Sequence, residues 1–337
     1  MKSLVLIESG KLVLSDMDIP VPGPEEILIK TKAATICTSD FADIKENPFN
    51  APLPVILGHE CSGVVAGVGE GVKTFKVGDR VANHSFMHCT ECYYCKNGLP
   101  QLCENMDHLG FHRGGGFAEY YVMRQDRVRL IPENVTFPQA TLLEPVSVCL
   151  EGLERVRAGA GKNVLILGDG PFGILMAKLC CLYEPKNVIM LGRHDSRMSH
   201  VSHAIKINER ISRDVQKDIR EITAGRGVEC AVLCVASKSA VDAAVDALSP
   251  RGTLCVFSAI PGKTPVDLFK LHVKELSIQG SCNDPGYMDK ALLHIGRDTE
   301  GINDVITHTL PFTDWREAFE LAEKDREHAL KVCLIFE

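Results

Sequence analysis

Two textures of apolar and polar positions divide the chain. Up to about residue 150, short runs of β-forming residues alternate with Gly and Pro, as in PGPEEILIKTKAA, GHECSGVVAGVG and VGDRVANHS. Such runs predict an irregular, mostly antiparallel β domain. From about 150 to 280 the order becomes apolar strand, then helix, several times over. KNVLILG, KNVIML, VECAVLCVA, GTLCVFSA and LSIQGS are the strand segments; GILMAKLCCLY, VQKDIREITA and SAVDAAVDAL are helical segments between them. That alternation predicts an α/β fold with a doubly wound parallel sheet. The chain then finishes with an amphipathic helix, WREAFELAEKD, and a strand, KVCLIF.

Composition narrows the class. At 337 residues the chain is long enough for two domains, each with its own core. Apolar residues at 45% and charged residues at 24% are the balance of a soluble globular protein. A formal charge of −7 disfavours nonspecific attraction to nucleic acid or anionic membrane. No run approaches the roughly 20 apolar residues of a membrane span. The first residues, MKSLVLIESGKLVL, lack the longer apolar stretch and cleavage site of a signal peptide, so a cytoplasmic protein is expected.

Within that setting, CTECYYCKNGLPQLC places Cys89, Cys92, Cys95 and Cys103 at a spacing of C-x2-C-x2-C-x7-C. A disulfide knot, a redox centre and a metal site all use such clusters. In a cytosolic chain a tight cluster more often binds metal. A nucleic-acid zinc knuckle would want a histidine in the set and basic, aromatic flanks, and this chain is acidic.

KNVLILGDGPFGILMAKLC carries Gly168, Gly170 and Gly173 in the G-x-G-x-x-G spacing, after a strand and opening a helix. The three glycines serve a tight turn, close approach of backbone to pyrophosphate, and close packing of helix on strand. The helix start at Pro171 and Phe172 then presents free N–H groups to phosphate. About 20 residues on, an NAD site usually carries an acid for the ribose 2′-hydroxyl. Here the second strand ends at Gly192 and Arg193. Gly192 clears space, and Arg193 with Arg197 is positioned to hold a 2′-phosphate in charge-assisted bonds. The expectation is NADP(H) over NAD(H). The alternative leaves Arg193 as a solvated charge and puts Asp195 on the ribose.

ICTSD and GHECSG bring Cys37 and His59, a thiol and an imidazole that both suit zinc. Each alone is as readily a core residue. Glu60 follows directly, and LLEPVS supplies Glu144 in apolar surroundings, where a buried acid needs a partner such as a metal.

The order CTSD, GHE, GDRV, the four-cysteine run, LLEP and GDGPFG resembles the zinc-dependent medium-chain dehydrogenases/reductases nearly end to end, from PGPEEILIK through GGFAEY to FTDWREAFELA. The resemblance implies a GroES-like catalytic domain over residues 1–150, completed by 282–337, with a structural zinc lobe at about 86–108. A Rossmann-type cofactor domain would span 151–281. It implies two zinc ions per chain. Cys89, Cys92, Cys95 and Cys103 match the closed structural site, which staples a lobe and does no chemistry. Cys37 and His59 match ligands of the catalytic ion, Glu144 falls at the third ligand, and Glu60 matches the acid beside the metal. Asp40 matches the carboxylate that orients His59, and Ser39 the hydroxyl that takes the substrate proton. Relatives often carry a relay histidine where this chain has Ala42, so proton release must run through water, a ribose hydroxyl or another side chain.

The function so implied is hydride transfer between NADP(H) and a secondary alcohol or ketone, the metal polarising the reacting oxygen. Glutamate at position 144 resembles the polyol and threonine dehydrogenase branches. Sugars, polyols, cyclitols, aminocyclitols or amino acids are therefore the substrate classes, with ketone reduction in biosynthesis as the NADP-linked direction. Phe41, Phe49, Ser85, Phe111 and Arg113 are candidate pocket residues. A small-molecule partner and a homodimer or homotetramer are expected. The alternatives are an NAD-linked dehydrogenase of sorbitol-like polyols, threonine or small secondary alcohols, and a non-catalytic relative that binds zinc and nucleotide. Keeping Cys37, His59, Glu144 and Ser39 together argues against the last.

Overall fold

A computed structural model describes residues 1–48 and 51–337. The chain divides into two compact units. The first holds Met1–Pro145, Met288–Asp298 and Ile306–Glu337; the second holds Val146–Tyr287 and Thr299–Val305. No helix among the described residues is long and apolar enough to cross a membrane.

The first unit begins with an antiparallel hairpin of β1 (Lys2–Glu8) and β2 (Lys11–Asp16), with Leu4 opposite Leu14. β3 (Glu26–Thr35) runs into α1 (Thr38–Glu46), and β4 (Glu60–Val68), β5 (Arg80–Asn83), β6 (Tyr120–Arg124) and β7 (Val128–Leu130) follow. Every second residue along most of β3 is buried, because an antiparallel strand of this kind lays one face on the core and shows the other to water. α2 (Leu143–Arg155) follows this segment of the chain.

The second unit is built on β8 (Asn163–Leu167), α3 (Pro171–Cys181), β9 (Asn187–Gly192), β10 (Ile205–Asn208), β11 (Val228–Leu233), β12 (Leu248–Val256) and β13 (Ser277–Gly280). All six strands are parallel, in the order β10-β9-β8-β11-β12-β13. β8 has every residue buried, as a central strand covered on both faces requires. Its register sets Leu167 opposite Leu191 of β9 and Leu233 of β11. The order reverses at β8, and that switch point is where an open parallel sheet binds ligands.

The end of the chain returns to the first unit as β14 (Ile306–Pro311), α4 (Trp315–Lys324) and β15 (Lys331–Ile335). β15 pairs with β3, placing Cys333 opposite Thr35, and completes a seven-stranded sheet in which β4 lies on the other side of β3. α4 buries Trp315, Ala318 and Phe319, one face of an amphipathic helix. The core of this unit runs from Leu4 and Leu6 through Ile27, Phe117 and Tyr121 to Phe319 and Leu334.

Candidate active site

Cys37 stands where the extended backbone of β3 turns into α1; it is the N-cap residue. Asp40, three residues on, accepts the Cys37 N–H at 2.8 Å through Oδ2. Its other oxygen, Oδ1, lies 3.5 Å from Nδ1 of His59, which immediately precedes β4. One carboxylate thus caps the helix and aims the imidazole. The ligating atoms of Cys37, His59 and Glu60 all lie within 4.8 Å of one another, and all three residues are buried. With Nδ1 facing Asp40, Nε2 is the ring atom left to bind an ion. Burial pulls the His59 imidazolium down, but Asp40 and then Cys37 together outweigh it and the net displacement is well upward. A thiol, an imidazole and a carboxylate, buried with a carboxylate behind the histidine, are a donor set that fits a catalytic zinc.

The surroundings contain residues that sequence reasoning did not single out. Lys331 of β15 is buried and lies 2.6 Å from both oxygens of Glu60. The Thr35 hydroxyl donates to the same carboxylate. Burial pulls the Lys331 ammonium down, and Glu60, ahead of Cys37, overrides it to hold its pKa at about 12. His108 stacks edge-on against Phe111 at 4.5 Å, with Phe111 5.3 Å from the His59 ring and Ser85 Oγ 3.3 Å from His108 Nε2. Burial pushes His108 down to about 3, so it is neutral at physiological pH.

Glu144 stands in the first turn of α2, buried, and is not part of the group that closes within 4.8 Å; Glu60 is the carboxylate there. Burial raises its pKa, opposed by His84 and then His59. Ser39 is half-buried in the first turn of α1, and Ala42 is exposed one turn further along. Of the candidate pocket residues, Ser85 and Phe111 sit by His108 and His59. Phe41 packs on Phe319 at 5.7 Å, and Arg113 is tied to Glu26 at 2.8 Å. Phe49 lies outside the described residues.

The four-cysteine run lies in the connection between two short antiparallel strands, Phe86–Met87 and Asp107–His108. The Sγ atoms of Cys89, Cys92, Cys95 and Cys103 lie within 4.8 Å of one another. Cys92 is 3.5 Å from Cys95 and 3.9 Å from Cys103, and Cys89 is 4.0 Å from Cys95. A zinc tetrahedron with bonds of about 2.3 Å has sulfur–sulfur edges of about 3.8 Å, so the spacing fits the ion. Backbone N–H groups point at the sulfurs, from Cys92 to Cys89 at 3.4 Å and from Cys89 to Cys103 at 3.2 Å. Such bonds from Glu91 and Cys92 draw Cys89 down to about 6, while burial and its thiol neighbours push Cys95 up to about 12.

In the second unit the glycine turn follows β8. Gly168 has φ +115°, a conformation that favours glycine. A Cβ on Gly173 would lie 1.9 Å from the Gly168 carbonyl oxygen, whereas one on Gly170 would meet nothing within 4 Å. Helix packing and open space for a ligand thus fall to different glycines. Pro171 opens α3, and Phe172 packs against Phe257 at 5.4 Å.

The second strand ends at Gly192 with no acid of its own, as expected, but a carboxylate reaches its end from another segment. Asp169, inside the glycine turn, reaches the end of β9. Its Oδ2 accepts the N–H groups of Arg193 and His194, both at 2.6 Å, and lies 3.0 Å from His194 Nδ1. A Cβ on Gly192 would lie 2.7 Å from Asp169 Cβ, so Gly192 is small to admit Asp169. The Arg193 guanidinium is paired with Glu209. Arg197 is buried, and Asp195 is bonded to Asn208 at 2.9 Å.

A β unit with a buried thiol, imidazole and carboxylate, and a parallel sheet with a dinucleotide-type glycine turn, define a class: oxidoreductases that pair a metal with a nicotinamide cofactor. The alcohol dehydrogenase GroES-like domain matches residues 23–133, and the zinc-binding dehydrogenase domain matches 171–291. Starvation-sensing protein RspB of Escherichia coli (strain K12) is 31% identical, over 100% of this chain and 99% of its own. L-threonine 3-dehydrogenase of Pyrococcus furiosus is 33% identical over 91% of each chain, and sorbitol dehydrogenase of Bacillus subtilis is 28% identical over 99% and 97%. The structure of an alcohol dehydrogenase, RspB, from E. coli CFT073 with NADH superposes with a TM-score of 0.92 at 30% identity, covering 100% and 99% of the chains. A zinc-binding dehydrogenase from Sinorhizobium meliloti 1021 bound to NADP does so with a TM-score of 0.92 at 26% identity, covering 99% and 98%. The chain belongs to the zinc-dependent medium-chain dehydrogenase/reductase family. It is an enzyme of the zinc-type alcohol and polyol dehydrogenases.

Proposed function

We propose that the protein transfers a hydride between a nicotinamide cofactor and a polyhydroxylated or amino-substituted secondary alcohol or its ketone. The observation that carries this reading is the buried pair of Cys37 and His59, with Asp40 behind the histidine and the Glu60 carboxylate beside them. Threonine and sorbitol dehydrogenases among the relatives support the substrate class. The reading includes two zinc ions per chain, one in the four-cysteine lobe, and a cytoplasmic homo-oligomer.

A bound zinc supplies a Lewis acid for the substrate oxygen. The residues of this chain do the rest. Cys37 and His59 would hold the ion, and Asp40 orients His59. Lys331 and Thr35 engage both Glu60 oxygens, and a carboxylate neutralised by an ammonium is a weak donor. Glu144 is therefore assigned the third place, with Glu60 beside it. Ser39 is assigned the hydroxyl proton of the substrate.

For the cofactor, NADP(H) with ketone reduction was the sequence expectation. The surroundings of Gly192 and Arg193 favour NAD(H) instead, because a carboxylate stands at the strand end and the guanidinium is engaged by Glu209. NAD(H) goes with alcohol oxidation as the direction. NADP(H) remains the second reading, on Arg193 lying at the end of β9.

The test is hydride transfer measured across polyols, cyclitols, aminocyclitols and threonine with each cofactor, and in reverse across the ketones. Turnover abolished by chelation and restored by zinc is expected. Bound zinc and bound cofactor with no turnover on any member would remove this substrate class.

A further inference from the structure

We propose that Asp169, the residue between the first two glycines of the turn, is the residue that sets cofactor preference, selecting NAD(H) by occupying the place of a 2′-phosphate. This rests on the reading that the turn holds a nicotinamide dinucleotide. It adds which side chain discriminates, and how.

The placement follows from register. Leu167 lies opposite Leu191, so two residues further on Asp169 reaches Arg193. A 2′-phosphate at the end of β9 would draw on the free N–H groups of that turn and on a guanidinium. Both are already engaged by the protein itself. Asp169 Oδ2 takes the Arg193 and His194 N–H groups at 2.6 Å each, and Glu209 takes the Arg193 guanidinium.

Asp169 stays anionic. Burial pushes its carboxyl up, but the N–H groups of Arg193 and His194, with the His194 ring, outweigh that and lower its pKa. A phosphate monoester carries about −1.5 to −2 charges at neutral pH, so carboxylate and phosphate would repel at this spot. A ribose hydroxyl meets no such repulsion and can donate to the carboxylate. The acid that usually closes the second strand has moved to the glycine turn, and Gly192 makes room for it: the Cβ of any other residue there would collide with Asp169. His194, whose Nε2 lies 3.4 Å from Arg210, and Arg193 with Glu209 are the charged or titratable neighbours.

The test measures binding and needs neither zinc nor an alcohol. The full-length protein is titrated by calorimetry with AMP and adenosine 2′,5′-bisphosphate, which differ only in the 2′-phosphate, and with NADH and NADPH. Wild type should bind the 2′-hydroxyl member of each pair at least about tenfold tighter, the lower end for hydrogen bonds to a charged group. Asp169→Asn keeps the shape and an accepting oxygen, so thermal unfolding should move little while that ratio falls by about tenfold. Glu209→Gln releases Arg193. It should strengthen adenosine 2′,5′-bisphosphate clearly in the Asp169→Asn background and far less in wild type. Wild type preferring the 2′-phosphate, or a folded Asp169→Asn protein with an unchanged ratio, would overturn the proposal. So would Glu209→Gln alone giving the whole gain. If neither adenosine phosphate bound, the dinucleotide reading itself would fail, whereas normal binding without turnover would count only against the proposed substrate class.

Discussion

Lys331 Nζ lies 2.6 Å from both carboxylate oxygens of Glu60, and both side chains are buried. Strand β15 supplies the cation and β4 the anion, 271 residues apart in the chain. Removing one member of such a pair leaves a charge without compensation in a medium that solvates it poorly, which costs about 3–5 kcal/mol. Lys331→Met should therefore destabilise the protein by about that much in urea unfolding. Lys331→Met combined with Glu60→Gln should recover most of the loss, because it removes both charges. The pH dependence has a definite sign. The lysine pKa is raised from 10.5 to about 12 on folding. The stabilisation is fully present below the lower value and disappears as pH rises through the upper one. The gap between wild type and Lys331→Met should narrow over that alkaline window. Additive losses in the double variant would show that the pair is not coupled.

Glu144→Gln is expected to lower zinc content from two ions to one and to remove most turnover, with NADH affinity near wild type. Burial raises the Glu144 carboxyl pKa, and a bound cation would favour its charged form. Metal analysis after dialysis decides this. If Glu144→Gln keeps both ions and Glu60→Gln loses one, Glu60 is the resident ligand.

In the four-cysteine lobe, Cys95→Ser removes one corner of the thiol group and should harm folding before chemistry. A structural zinc contributes its binding free energy to folding directly. The expected signature is loss of one zinc, a lower Tm and early proteolysis between residues 86 and 108. A stable Cys95→Ser protein with both ions would contradict the assignment.

Gly170 and Gly173 of the cofactor turn should separate binding from stability. Gly170→Ala meets nothing within 4 Å, so the variant should fold normally yet bind NADH weakly, its methyl group lying where the backbone approaches pyrophosphate. Gly173→Ala would press on the Gly168 carbonyl at 1.9 Å and should lower the unfolding midpoint itself. Equal Tm losses in both variants would mean that Gly170 has a packing role.

What the sequence determined alone is what lies close along the chain. The four cysteines fall within fifteen residues and the glycine turn within six, so each site's partners share one stretch. The continuous apolar run of β8 and the alternation in β3 likewise report how many faces of each strand are covered. Tertiary structure decided the rest. Lys331 reads as a strand residue until β15 pairs beside β3 and sets it against Glu60. His108 acquires a role only when its ring meets Phe111 beside His59. Gly192 and Arg193 suggested a strand end with no acid and a free guanidinium. Parallel register brought Asp169 to the first, and Glu209 engaged the second. Local spacing tells which chemistry a segment can offer. Which charges face one another depends on strand order and register, and a pair of opposite charges far apart in sequence leaves no local pattern to read.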